Sequence, residues 1–79
     1  MQISICNQTL YQKAVVVTDD NNGGAVIFRG NIAGDQNGPV CVPLAIATSQ
    51  AGFGDIHYST DGGQFYGAQL LSDGDVINV

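Results

Sequence analysis

Lys13-Ala14-Val15-Val16-Val17-Thr18-Asp19-Asp20-Asn21-Asn22-Gly23-Gly24-Ala25-Val26-Ile27-Phe28 is the stretch that decides the fold class. Two β-branched, apolar runs flank a block of Asp, Asn and Gly, which are the residues that accept turn geometry and left-handed backbone. The pattern predicts a β-hairpin. Its first arm, Ala14-Val15-Val16-Val17, is continuous rather than alternating, which predicts a strand covered on both faces. Outward from the hairpin the same grammar repeats. Gln2-Ile3-Ser4-Ile5-Cys6 alternates with period two, and Asp55-Ile56-His57-Tyr58-Ser59-Thr60 does so again. Asp61-Gly62-Gly63 turns the chain into Gln64 to Leu71, a second hairpin. Ser72-Asp73-Gly74 turns it into a closing strand, Asp75 to Val79. Val40 to Thr48 reads as extended, with Pro43 marking an edge or a bulge because proline lacks a ladder donor. Arg29 to Pro39 reads as a loop carrying one short edge strand at Asn31-Ile32-Ala33. The expected fold is an all-β, six- to eight-stranded antiparallel β-sandwich or Greek-key barrel, formed as a single domain over residues 1–79. Val15 to Phe28 and Ile56 to Leu71 echo each other at an offset of about half the chain. Any two hairpins share that much.

Composition supports the all-β reading. All seven acidic residues are Asp, and there are eleven Gly and two Lys+Arg, so the straight-chain helix formers are nearly missing. Apolar residues make up 44% of the chain, more than a disordered segment carries. A net charge of −5 with Lys13 and Arg29 as the only cations excludes nucleic acid as a direct electrostatic partner. No apolar run approaches a membrane span, and the start has no basic region followed by an apolar stretch. No cofactor is expected.

Cys6 lies in the first strand and Cys41 at the head of the fifth extended segment. They are either two buried thiols or one disulfide, with the bridge the favoured reading in a chain this small. A bridge would constrain the unfolded chain by about 4 kcal/mol and imply an oxidising compartment. Asn7-Gln8-Thr9 has the form of an N-glycosylation acceptor.

Four sets of residues are candidates for function. Asp55, His57 and Ser59 leave one face of a strand and are the residue types of a nucleophile–base–orienter set. The plainer reading is the solvated face of a strand that buries Ile56, Tyr58 and Thr60, and no enzyme is expected. Asp19, Asp20 and Asn22 crowd oxygen atoms into one loop, and Asp73 and Asp75 into another. Calcium would need both loops to converge, and Asp and Asn ordinarily serve turn geometry. Zinc is poorly served by one His and two distant Cys. Tyr11, Tyr58 and Tyr66 are candidate binding aromatics for a carbohydrate or a protein partner. Small sheets also have edges, and only Pro43 and Lys13 are at hand to protect them. A strand edge is therefore a candidate for a partner protein or a homodimer contact.

The order of Ile3-Ser4-Ile5-Cys6, the strand Lys13 to Thr18, the strand ending Phe28-Arg29-Gly30, and Cys41 before an apolar strand resembles the MAX effectors of plant-pathogenic fungi. That resemblance implies a six-stranded sandwich with Cys6 and Cys41 bridged between the first strand and the start of the fifth. It also implies a secreted, non-catalytic virulence protein that binds host proteins through exposed strand edges, with Met1 standing where a leader was removed. The Gly- and Asn-rich Arg29 to Pro39 and the extension over Gly63 to Val79 depart from the pattern. The alternatives are a lectin-like or calcium-assisted carbohydrate binder, and a cytoplasmic bacterial or phage protein that binds a protein target.

Overall fold

Seven strands arise where the apolar and β-branched runs lie: β1 (Gln2–Asn7), β2 (Lys13–Asp19), β3 (Ala25–Ile32), β4 (Val40–Ala45), β5 (Gly54–Thr60), β6 (Tyr66–Leu71) and β7 (Val76–Asn78). The computed structural model describes all of residues 1–79. The strands form two sheets, one ordered β4-β1-β7 and the other β3-β2-β5-β6. Asp20–Asn22 makes one 3-10 turn between β2 and β3, and Gly23 and Gly24 close it at φ 67° and 76°. No helix is long and apolar enough to cross a membrane.

Alternation sends Ile3 and Ile5 of β1, Val15 and Val17 of β2 and Ile56 of β5 into the space between the sheets. There they meet Ile32, Leu44, Ile46 and Leu71. These nine buried side chains are the core, each stabilising the fold by about 1.5–3 kcal/mol relative to exposure. The all-β sandwich expected from the sequence is present.

Five details differ from expectation. β1 and β7 run parallel, pairing Ser4 with Val76 and Ile5 with Ile77, which a crossover from the other sheet permits and a tight hairpin does not. Asn31 and Ile32 extend β3 rather than starting a separate edge strand, so Cys41 opens the fourth strand and not the fifth. The second half of the expected Val40 to Thr48 stretch leaves the sheet after Ala45. β6 starts at Tyr66, two residues later than expected. β2 is covered on one face only: Val15 and Val17 are buried, whereas Ala14 is exposed and Val16 half-buried. Its unbroken apolar run reflects an interior position in a sheet whose outer face is open.

The chain visits the sheets in a pattern that repeats. β1 joins one sheet and the hairpin β2–β3 the other; then β4 joins the first sheet and the hairpin β5–β6 the second. β1 pairs antiparallel with β4, and β2 antiparallel with β5, so the two three-strand halves are related by a topological twofold that β7 alone breaks. The echo between the hairpins in the sequence therefore has a counterpart in strand order.

Candidate functional site

The disulfide comes first because it fastens the smaller sheet. Cys6 and Cys41 are directly opposite in the β1–β4 ladder, with Cα atoms 4.0 Å apart, and they are bridged. That close approach marks a pair that exchanges no backbone hydrogen bonds. Ser4 and Pro43 have the same parity, and the Ser4 N–H indeed points away from β4, donating to the Asp75 carbonyl at 2.9 Å. The ring nitrogen of Pro43 therefore faces the free side of β4, where it removes an outward donor.

The glycosylation triplet has a structural role instead. Asn7 is fully buried, and its Nδ2 donates to the carbonyls of Tyr11 at 2.7 Å, Ile32 at 3.0 Å and Ala33 at 3.3 Å. Its Oδ1 accepts from the Thr9 N–H and hydroxyl at 2.9 and 2.7 Å. One side chain thus ties together the loop leaving β1 and the end of β3. Gly34 is packed so closely on the backbone of Leu10 and Tyr11 that a Cβ has no room there.

The candidate set Asp55, His57 and Ser59 is not joined by hydrogen bonds. His57 Nδ1 instead lies 2.7 Å from Oδ2 of Asp20, which the 3-10 turn carries over to β5. This is the single ion pair of the molecule, complete when the imidazole is protonated. The ring lies across Gly67 of β6, where a Cβ would stand 3.2 Å from Nε2. Ser59, expected on a solvated face, is buried because β5 is an interior strand crowded by neighbours on both sides. Tyr58 and Thr60 are only partly buried.

Asp55 stands at an irregularity. Gly54 pairs with Leu71 and Ile56 with Ala68, so Asp55 alone opposes both Gln69 and Leu70. This is a β-bulge in β6. Leu70 has φ 57°, the left-handed region in which such bulges commonly use glycine, and its side chain is 71% exposed. An open depression of about 230 Å³ lies beside the bulge, lined by Asn21, Ser49, Phe53, Asp55, Gln69 and Leu70 together with Ala51 and Gly54. The Asp55 carboxyl is held above its ordinary 3.8, first by burial, then by the adjoining carboxyl of Asp20 and its negative charge. Asp19 pushes the same way and His57 the opposite way.

The calcium candidates are occupied with backbone or with His57. Asp19 accepts from the Ala47 N–H at 2.7 Å, Asp73 from the Gln2 N–H at 2.7 Å and Asp75 from the Ser72 N–H at 2.8 Å. Asn22 is an exposed member of the 3-10 turn. No group of three or more His, Cys or Asp side chains is arranged to hold a metal ion.

Of the tyrosines, Tyr11 is 78% and Tyr66 54% exposed. Tyr58 is partly buried and packs obliquely on Tyr66, with ring centroids 6.1 Å apart. Strand register places Tyr11 and Tyr66 at the end of the sandwich opposite the depression. No protein-family model, no curated protein and no solved structure matches the chain.

The Asp20–His57 contact joins residues 37 apart and left no mark in local spacing. Gln69 and Leu70 also escaped sequence reading, since nothing in Gly67-Ala68-Gln69-Leu70 announces a bulge.

Proposed function

We propose that this protein is a non-catalytic binding module that takes up an extended segment of another protein as an added strand along β6. Four strands have free edges, and three of them are blunted in recognisable ways. β4 carries Pro43, with its donorless nitrogen facing outward. β7 is three residues long. β3 presents the exposed cation Arg29. Lys13, the other residue expected to guard an edge, sits on the interior strand β2.

β6 has no proline, no charge and no shortness to blunt it, and its bulge at Gln69–Leu70 leaves Tyr66 to Ala68 in regular register. Tyr66-Gly67-Ala68-Gln69-Leu70-Leu71 carries no charge and no proline, and Phe65, Tyr66 and Leu70 beside or upon it are about half exposed or more. That unguarded, partly apolar edge is the observation that carries the reading. Its main-chain groups would provide affinity, and its alternating side chains specificity. The disulfide is compatible with an extracellular site of action. The effector-like role implied by the resemblance, a secreted protein that binds host proteins, fits this mode of recognition.

The test is selection of random extended peptides against the intact protein, followed by amide hydrogen exchange. Selected peptides are expected to protect the amides of Tyr66–Leu71, and to bind at least tenfold more weakly to a Tyr66→Lys variant than to an Arg29→Ala control. Protection concentrated on β3 or β4, with β6 unchanged, would overturn the proposal.

A further inference from the structure

The seven carboxyl groups differ in one respect. Asp19 accepts from Ala47, Asp35 from Asn37, Asp61 from Ala14, Asp73 from Gln2 and Asp75 from Ser72, each through a backbone N–H, and Asp20 is paired with His57. Asp55 alone receives no N–H donor; its Oδ1, like Oδ1 of Asp19, is buried without a hydrogen-bond partner. Asp55 is also the one carboxyl on the wall of the depression.

The lining has two characters. Ala51, Phe53 and Leu70 give an apolar flank, whereas Asn21, Ser49, Gln69 and Asp55 supply polar atoms. An apolar flank beside an acid fits an amphipathic cation, whose methylene stem lies on the flank while its charged head meets the carboxyl. The Phe53 ring adds attraction for such a head. Neither Lys nor Arg of the molecule can fill the role. Lys13 begins β2 at the far end of the sandwich, and Arg29 lies on β3, at the opposite edge of the sheet from β6.

We infer that the depression receives a Lys or Arg side chain from the segment bound along β6. The inference rests on the β6 reading and names the partner's chemistry: an extended segment with a basic residue opposite Gln69–Leu70, where the bulge opens the strand edge beside Asp55. Charge complementarity points the same way, since the chain carries −5 overall and pairs no carboxylate with Lys or Arg. Seating a cation there also stabilises the ionised form of a carboxyl crowded by Asp20, so binding weakens as the pH falls and that carboxyl takes up its proton.

Titration of the intact, isotope-labelled protein with agmatine, followed by its backbone amide shifts, tests the cation site without any peptide. Saturable shifts are expected at Asn21, Ser49, Phe53, Asp55, Gln69 and Leu70, with at least tenfold weaker binding to Asp55→Asn and no comparable effect of 1-butanol. Shifts spread equally over Asp35, Asp61 and Asp73, equal response to butanol, or unchanged affinity in Asp55→Asn would each overturn it. The comparison of agmatine with butanol on the unaltered protein decides the matter even where the variant folds poorly. Failure of agmatine to bind, with selected peptides still protecting β6, removes the basic-residue pocket and leaves the strand-addition reading intact.

Discussion

Asn7 and Asp55 are both polar groups drawn into the fold, and their environments are opposites. Asn7 satisfies its amide fully, with three carbonyls on one side and two donors on the other, so its burial is compensated. Asp55 has an uncompensated oxygen and a raised proton affinity. Because its folded-state pKa lies above the unfolded value, the unfolded chain loses this proton first as the pH rises. The contribution of Asp55 to stability is therefore most favourable below 3.8 and declines as the pH climbs from there through the raised native value. Asp55→Asn removes that decline. Denaturant unfolding across this acidic window is expected to show a flatter pH dependence for the variant and higher stability than the parent at neutral pH. A parallel pair of curves would contradict the account.

At the scale of the element, β6 combines an unguarded edge with a residue whose backbone is out of character. Leucine at φ 57° brings its Cβ against the following carbonyl, which costs about 1–2 kcal/mol. Little burial offsets that cost, because the side chain is largely exposed. Leu70→Asn, which tolerates this backbone, is expected to raise stability by up to about 1 kcal/mol, and β-branched Leu70→Val to lower it by about 1–2 kcal/mol. Thermal unfolding of the two variants checks the pair, and a fall in both would mean that the Leu70 side chain packs more productively than its exposure indicates. A stabilised Leu70→Asn that also loses selected peptides would show that the strained leucine serves binding at the expense of stability. The strands themselves were legible from residues such as Val15 to Val17 and Ile3 to Ile5, since alternation and β-branching are local properties. The bulge was not, because it exists only in the register of β6 against β5.

For the whole molecule, the decisive constraint is the single bridge. Cys6 and Cys41 are 35 residues apart, and closing that loop removes about 4 kcal/mol of freedom from the unfolded chain. The core of a domain this small provides only about 3–5 kcal/mol, so the two contributions are comparable. Replacing both cysteines by serine is expected to lower the unfolding free energy by about 3–4 kcal/mol, roughly half of what holds the bridged chain folded. Equilibrium denaturation of the double variant measures this. A loss below about 1 kcal/mol would mean that the unfolded chain is already compact around β1 and β4. The twofold arrangement of β1–β2–β3 and β4–β5–β6 belongs to this scale as well. The hairpin echo hinted at it, but the hint could not be weighed until the pairing of β1 with β4 and β2 with β5 was known.

Residue order alone makes this chain all-β, because Asp, Asn and Gly blocks between apolar runs impose turns wherever they occur. It also placed most of the strands to within a few residues, and it favoured the bridge between Cys6 and Cys41. The folded arrangement was needed to show that β7 joins β1 in parallel, that Asn7 is a buried tie rather than an exposed acceptor, and that Asp20 rather than Asp55 meets His57. It decided too that the carboxyl without an N–H donor is the one beside the bulge. Turn chemistry and period-two alternation act over a few neighbouring residues and can be read along the chain. Register between strands depends on contacts between residues far apart in sequence, which become determinate when the two sheets close on a common core.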